Sequence, residues 1–368
     1  KASSIVIGFC INVEEIDKNA FKNFTKLSGN LTLPNSLKYI DEYAFYNCSG
    51  LTGSLIIPDS VSYIGNYAFS GCSSLNGSLI IGDSLEIIKS NTFDEFSSFT
   101  GTLTIGQNVR KIEDNAFKNC YRFIGELNIP DSVTSIGDDS FYRCLGFTSI
   151  KISRSLIAIN KRAFYNCYNI KSSLILPESL TLIEEYAFYN CSQLHGSLNI
   201  PNSVSKINKY AFFNCSGFEK SLEIPNQLLV IDSYVFSQCR NLHAFYIPES
   251  VKLIKEYAFS GCSKLSGSLN IPDSVEVIEK YAFNECVRLT GSLTIGQSLK
   301  TIGTYTFAGT GNFAGTLTIG NGVINIEDEA FKSFSKLTGS LIIPNSVESI
   351  GDMAFYMCSS FDCSLIMY

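Results

Sequence analysis

A phenylalanine preceded by Ala, Thr, Ser or Val recurs fifteen times between Phe21 and Phe355. The spacing is 24 residues throughout, apart from two steps of 23, from Phe141 to Phe164 and from Phe236 to Phe259. A fixed period in this range restricts the chain to a solenoid, a propeller or an array. A propeller blade takes about 40 residues and four strands, which is too long for this unit. A solenoid remains, in which each turn buries its apolar side against the next. The period runs through all 368 residues, so one array without an internal domain break is expected.

One turn reads G-S-L-x-I-P-x-S-V-x-x-I-x-x-Y-A-F-x-x-C-S-x-L-x. Leu55 and Ile57 alternate with Ser54 and Ile56, the two-residue period of a short strand. Pro58 ends it. All nine prolines fall in this column, and Gly82, Gly106, Gly296 and Gly320 replace proline elsewhere. Val61 and Ile64 point inward on a second short strand. The segment N-Y-A-F-S-G-C, residues 66–72, predicts one helical turn with Phe69 and Cys72 on one face. No turn holds enough core to fold alone, so nearest-neighbour packing of Leu, Ile, Val, Phe and Cys columns must supply the stability.

The 23-residue turns carry a further signature. Phe147-x-x-Ile150-x-Ile152 and Leu242-x-x-Phe245-x-Ile247 have the L-x-x-L-x-L spacing of leucine-rich repeats. The 24-residue turns add one residue, usually a glycine such as Gly53 or Gly77. With I-P-D-S-V…I…A-F-x-x-C, the whole chain resembles the BspA-like leucine-rich repeats. That resemblance implies a right-handed arc of about 15 turns, with short parallel strands on a concave face and helical turns on the convex side. It also implies a cell-surface or secreted protein of the kind found in mucosal bacteria and parasitic protists, with a role in adhesion to host proteins or other cells.

Eleven of the 13 cysteines stand three residues after the marker phenylalanine, as Cys72 does after Phe69. A metal site, a disulfide ladder, a redox array and plain core are all open to a thiol so often repeated. Phe24, Phe96 and Phe334 fill the same column, and phenylalanine neither ligates metal nor forms a disulfide. The column therefore reads as core, with reduced, metal-free thiols. Cys10 and Cys363 leave the column and are the candidates for exposed thiols. Zinc sites need clustered ligands such as C-x2-C, and no such pair occurs.

Other chemistry is sparse. His195 and His243 share one loop column two turns apart, about 10 Å by strand spacing, too far to share a zinc ion. The carboxylate pairs Asp41-Glu42, Glu113-Asp114, Glu184-Glu185 and Glu327-Asp328 lie in an outer loop column that elsewhere holds Gly65-Asn66 or Asn208-Lys209, which suits a solvated face rather than a glycosidase pair. No phosphate loop, nucleophile elbow or H-E-x-x-H motif is present. The sequence predicts no enzyme and no cofactor; a carbohydrate-active enzyme is the remote alternative. The net charge of −6, with 17% charged residues, gives no electrostatic attraction to nucleic acid or an anionic membrane. No apolar run reaches the 18–20 or so residues of a bilayer span. A tyrosine column two before the marker, from Tyr43 to Tyr305, reads either as cover for the core edge or as a binding strip. Six N-x-S/T sequons occur, at Asn23, Asn30, Asn47, Asn76, Asn190 and Asn214.

Each strand offers two outward side chains. The first is nearly always Ser or Thr. The second changes freely: Asn128, Lys151, Ile175, Asn199, Glu223, Tyr246 and Asn270 occupy it in the central turns, with Thr or Ile on either side. An extended repeat surface uses such a column for recognition. These seven residues are the candidate ligand-binding positions, for a protein or glycan of a host surface or matrix, with Lys151, Glu223 and Tyr246 as anchors. A purely structural spacer is the alternative. Both ends fall inside repeats, as in a fragment, and the apolar end segments S-I-V-I-G-F-C-I and C-S-L-I-M-Y predict end-to-end self-association.

Overall fold

A computed structural model describes residues 12–360 and 365–367. Cys10, Cys363 and the first end segment lie outside these residues, and of the last segment only the strand Leu365–Met367 is described. The chain divides into two compact units, Lys1–Leu180 and Thr181–Tyr368. Both are parallel-strand solenoids, about 14 turns in all.

In the first unit the strands Leu55–Ile57, Leu79–Ile81 and Leu103–Thr104 pair in parallel with a 24-residue register, so that Leu55 faces Leu79 and Leu79 faces Leu103. The flanking leucines and isoleucines of each strand point inward and are buried, while Ile56 and Ile80 point out. Glu126–Asn128 pairs with Ser149–Lys151 in a separate two-stranded sheet. In the second unit the same face is built from Gly196–Asn199, Phe218–Glu223 and Ala244–Phe245, then from Gly267–Ile271, Leu289–Ile295 and Leu317–Thr318. The second short strand is present as well. From Val230–Ile231 to Ser349–Ile350 it forms one six-stranded parallel sheet of two-residue strands. Side chains in register then stack into columns: ring centroids along the marker phenylalanines lie 5.1 Å apart for Phe45–Phe69 and 5.4 Å for Phe188–Phe212, near parallel in both cases.

The A-F-x-x-C segment corrects the sequence reading. No helix forms there among the described residues. Ala44, Tyr46 and Cys48 donate backbone N–H groups to the carbonyls three residues earlier, at 3.2, 3.1 and 3.1 Å. The alternate residues Tyr43, Phe45 and Asn47 donate instead to Asn66, Ala68 and Ser70 of the next turn, at 3.1, 2.7 and 2.8 Å. A helix keeps its N–H groups within its own segment; here half of them tie successive turns together. The alternation requires left-handed backbone at Tyr43 (φ 55°) and Asn47 (φ 57°). Asn and Gly enter that region at least cost, which accounts for the Asn/Gly column of Asn23, Asn47, Gly71 and Asn119. The inward face survives the change, for Phe45 and Cys48 are both fully buried.

Candidate functional site

The strand face is built on a hydroxyl ladder. Ser54 Oγ accepts the Ser78 N–H at 3.1 Å, and Ser78 Oγ accepts the Thr102 N–H at 3.0 Å. Ser268 and Ser292 repeat this in the second unit, accepting from Ser292 and Thr316. The first outward column therefore fastens one turn to the next, and the second column is left to meet solvent.

In the first unit that column brings Asn128 opposite Lys151 in the paired strands. Asn128 is half-buried, and its Oδ1 is enclosed without a hydrogen-bond partner among the described residues. Lys151 is exposed and makes no ion pair among the described residues. Ile175 is 78% exposed, the most exposed large apolar side chain described. In the second unit Asn199 faces Glu223. Tyr246 follows the last registered pair, Leu222 with Phe245, and so stands beside Glu223. Tyr246 is 58% exposed, and Asn199, Glu223 and Asn270 are exposed.

No sequence motif marks a groove, yet one opens beside Lys151. The strand Ser149–Lys151 pairs with Glu126–Asn128 on one side, while Leu174–Leu176 of the following turn forms no strand. Ile150 N–H donates to Ser172 Oγ at 3.2 Å in place of a backbone carbonyl. Ile152 N–H has no acceptor among the described residues, whereas the equivalent Ile129 N–H reaches Lys151 O at 2.9 Å. Two sequence features coincide here: a 23-residue turn, and Ser172 in a column where most turns carry glycine. That column is tight, since a Cβ on Gly77 would lie 2.6 Å from Ser54 N. The groove measures about 450 Å3, and Glu126, Ile150, Lys151, Ile152, Arg154, Ser172, Ser173, Ile175 and Pro177 line it. A second opening, of about 500 Å3, lies in the second unit beside Ile342, with a rim of uncharged Thr318, Asn321, Asn345 and Ser346.

The remaining candidates are explained by the stacking of turns. Ten of the eleven column cysteines are buried and Cys358 is partly exposed; all eleven are free thiols. These thiols have partners that the sequence does not reveal. Cys72 Sγ donates to Phe45 O of the preceding turn at 3.1 Å, and Cys120, Cys144, Cys215 and Cys239 do the same to Phe93, Phe117, Phe188 and Phe212 at 3.1–3.2 Å. Burial pushes the Cys48 thiol up to about 11 and those of Cys239 and Cys286 up to about 12. Where Phe96 and Phe334 replace cysteine, their rings pack edge-on against Phe93 and Phe331.

The carboxylate pairs accept backbone N–H groups: Glu113 from Ser90, Asp114 from Asp138, Glu327 from Thr304 and Asp328 from Asp352, at 2.8–3.2 Å. His195 and His243 are both exposed, and His243 Nδ1 lies 2.6 Å from Glu219 O. The tyrosine column is a stack. Tyr186, Tyr210, Tyr234, Tyr257, Tyr281 and Tyr305 follow one another at 4.5–4.8 Å with nearly parallel planes. Ring faces are used up between neighbours, so the column covers the core edge and offers no free face on which a sugar could stack. Asn47 and Asn214, both in sequons, bridge to Asn23 and Asn190 through their side-chain amides at 3.2 and 2.7 Å.

A solenoid of short parallel strands with a 23–24-residue turn and an L-x-x-L-x-L core defines a leucine-rich-repeat protein. The model of the BspA type leucine rich repeat region matches residues 2–123, 121–216, 194–314 and 266–366, and the chain belongs to that family. Among solved structures it is similar to a leucine-rich repeat protein from Bacteroides ovatus, at 23% identity and a TM-score of 0.52, covering 92% of this chain and 87% of that one. A leucine rich cell surface protein from Faecalibacterium prausnitzii is 24% identical, with a TM-score of 0.49 over 77% of this chain and 83% of the other. The pneumococcal vaccine antigen PcpA is 18% identical, with a TM-score of 0.43 over 96% and 85%. A search of curated proteins found no match. No helix among the described residues is long and apolar enough to cross a membrane.

Proposed function

We propose that this leucine-rich-repeat chain is a non-catalytic binding module that recognises a protein through the outward side chains of its strand face. One contrast carries the reading. The inward columns hold one residue type turn after turn and are buried, whereas the second outward column is exposed and varies from Lys151 to Ile175 and from Asn199 to Glu223 and Tyr246. Identical turns would suffice for a spacer. A varied column on a strand face is what selective contact needs, with Lys151 as anchor in the first unit beside Asn128 and Ile175, and Glu223 and Tyr246 as anchors in the second beside Asn199 and Asn270. A protein is favoured over a glycan because Tyr246 is the sole aromatic in that outward column.

Membership of the BspA type family supports a module that stands at the cell surface or outside the cell and meets host surface or matrix proteins. The thiols fit such a location: Cys72, Cys144, Cys167, Cys215, Cys239, Cys262 and Cys286 are enclosed and hydrogen-bonded, and burial raises their pKa, so oxidants meet few thiolates there. Capture from host-cell surface and matrix extracts tests the function, with a Lys151→Ala/Glu223→Ala/Tyr246→Ala variant as control. The reading expects a discrete partner retained by the native chain and lost by the variant. Equal retention by both would remove the strand face from consideration.

A further inference from the structure

We propose that the groove beside Lys151 is an anchor pocket for an acidic segment of a partner protein, which inserts one bulky apolar side chain and lays a neighbouring carboxylate against Lys151 and Arg154. This rests on the binding function proposed above and gives the partner a chemistry.

The groove has the right dimensions and floor. Its volume of about 450 Å3 lies within the range of roughly 300–1,000 Å3 typical of ligand pockets, ample for a leucine or phenylalanine side chain. The floor is Ile150 and Ile152, and Ile175 and Pro177 form the far wall. Ile150 and Ile152 are 8% and 7% exposed, whereas Leu127 and Ile129 at the equivalent places of the preceding turn are fully buried. The open ladder thus leaves a little of this floor uncovered that the preceding turn seals. Ile175 holds its side chain in water with no partner packed over it, at a cost that a docked apolar group would remove.

Charge selects among the occupants. The rim carries two cations and one anion. Lys151 is unpaired among the described residues; the Arg154 side chain is 82% exposed and reaches Asp131 only at 3.8 Å. Lys151 is free to take a carboxylate, and Arg154, held by Asp131 at long range through Nε, keeps the rest of its fork to bind one. Glu126 on the opposite side of the groove would repel a dianion, so a singly charged carboxylate suits the rim better than a phosphate. The unused Ile152 N–H offers a backbone donor to an extended segment. No aromatic ring lines the groove, and a sugar would find no face to stack on. The opening beside Ile342 lacks charged residues and shares none of this selectivity.

Four fluorescein-labelled heptapeptides, read by anisotropy on the full chain, test the proposal. Their centres are leucine or serine, and their flanks glutamate or lysine. The leucine–glutamate peptide is expected to bind at least tenfold more tightly than each of the other three. Ile175→Asp should weaken it at least tenfold, and the Lys151→Glu/Arg154→Glu variant should transfer the preference to the leucine–lysine peptide. These positions are exposed, so thermal unfolding should be unchanged. Equal binding of all four peptides, binding of none, or leucine–glutamate binding that survives both variants would overturn the pocket. Extract capture by a Glu223→Ala/Tyr246→Ala variant separates the two claims. If the peptides fail while the partner is still lost with those side chains, only the pocket falls; if no strand-face variant affects capture, the binding function falls with it.

Discussion

Replacing Cys72 by alanine removes one buried thiol from the middle of a column, and its cost can be worked from three contributions. The side chain is fully buried, and losing its apolar area costs about 1 kcal/mol, comparable to one methylene. A void of about 20–30 Å3, only partly closed by relaxation, adds roughly 0.5–0.7 kcal/mol at about 24 cal/mol per Å3. The Sγ–H to Phe45 O bond of 3.1 Å is also lost, but Phe45 O keeps the Cys48 N–H at 3.1 Å, so this adds no more than about 0.5 kcal/mol. Cys72→Ala should therefore destabilise by about 2 kcal/mol. Urea unfolding followed by circular dichroism reads it as a lower midpoint at constant slope. Cys72→Ser isolates the hydrogen bond. A hydroxyl in this column finds a backbone carbonyl, as Thr310 Oγ1 does by donating to Phe307 O of its own turn at 2.5 Å, so serine should cost no more than alanine. A change below about 0.5 kcal/mol for alanine would refute the buried-core role; serine worse than alanine by about 1 kcal/mol or more would refute the carbonyl partner.

Further outcomes follow from the same geometry. Asn119 sits at φ 59°, so Asn119→Gly should stay within a few tenths of a kcal/mol, while Asn119→Val should cost about 2 kcal/mol by the same denaturation assay. Gly77→Ala should destabilise by about 1–3 kcal/mol, because the new Cβ would meet Ser54 N at 2.6 Å; an unchanged melt would mean that the turns can separate freely at this column. Burial, reinforced by Glu95, pushes the Asp94 carboxyl up to about 6. Its folded value lies above its unfolded value, so the associated stability is present below pH 4 or so and lost as pH rises through 6. Asp94→Asn should accordingly raise stability at pH 7.5 by about 1 kcal/mol after allowance for partial exposure, and leave it unchanged at pH 3. The thiols of Cys239 and Cys286, at about 12 when folded, likewise contribute stability that is present below pH 9 and lost as pH rises toward 12; the same buried thiols should be inert to a thiol reagent at pH 8 until the chain is denatured.

Much of the fold can be read from single columns. Leu55 and Ile57 must face inward because strand side chains alternate, and the proline column marks where each strand ends. The marker phenylalanine and Cys72 are inward for the reason the spacing implies, three residues apart on one side of a tight segment. What the same spacing did not distinguish was a helical turn from a chain of reverse turns. Both place Phe69 and Cys72 together, and the difference lies in where alternate N–H groups find acceptors. Asn47 and Gly71, sharing one column, were the available sign, since only a left-handed position accepts that pair so readily. The outward candidates Lys151, Ile175, Glu223 and Tyr246 were legible for a similar reason, as the places where an otherwise constant turn varies.

The groove was not legible, nor was the partner of any thiol. Ser172 in a glycine column and the 23-residue turn before it are visible in the sequence, but nothing local says that together they open the strand ladder. That depends on how closely two turns approach, a distance fixed by every hydrogen bond and side chain between them. The period, the inward and outward columns and the family can be read from residue order alone, because each follows from the pattern within one turn. The acceptors of the Cys72 thiol and the Phe45 N–H, the stacking of the tyrosine rings and the pocket beside Lys151 emerge only from packing. These are relations between residues 22 to 27 positions apart, and they exist only once one turn is packed on the next.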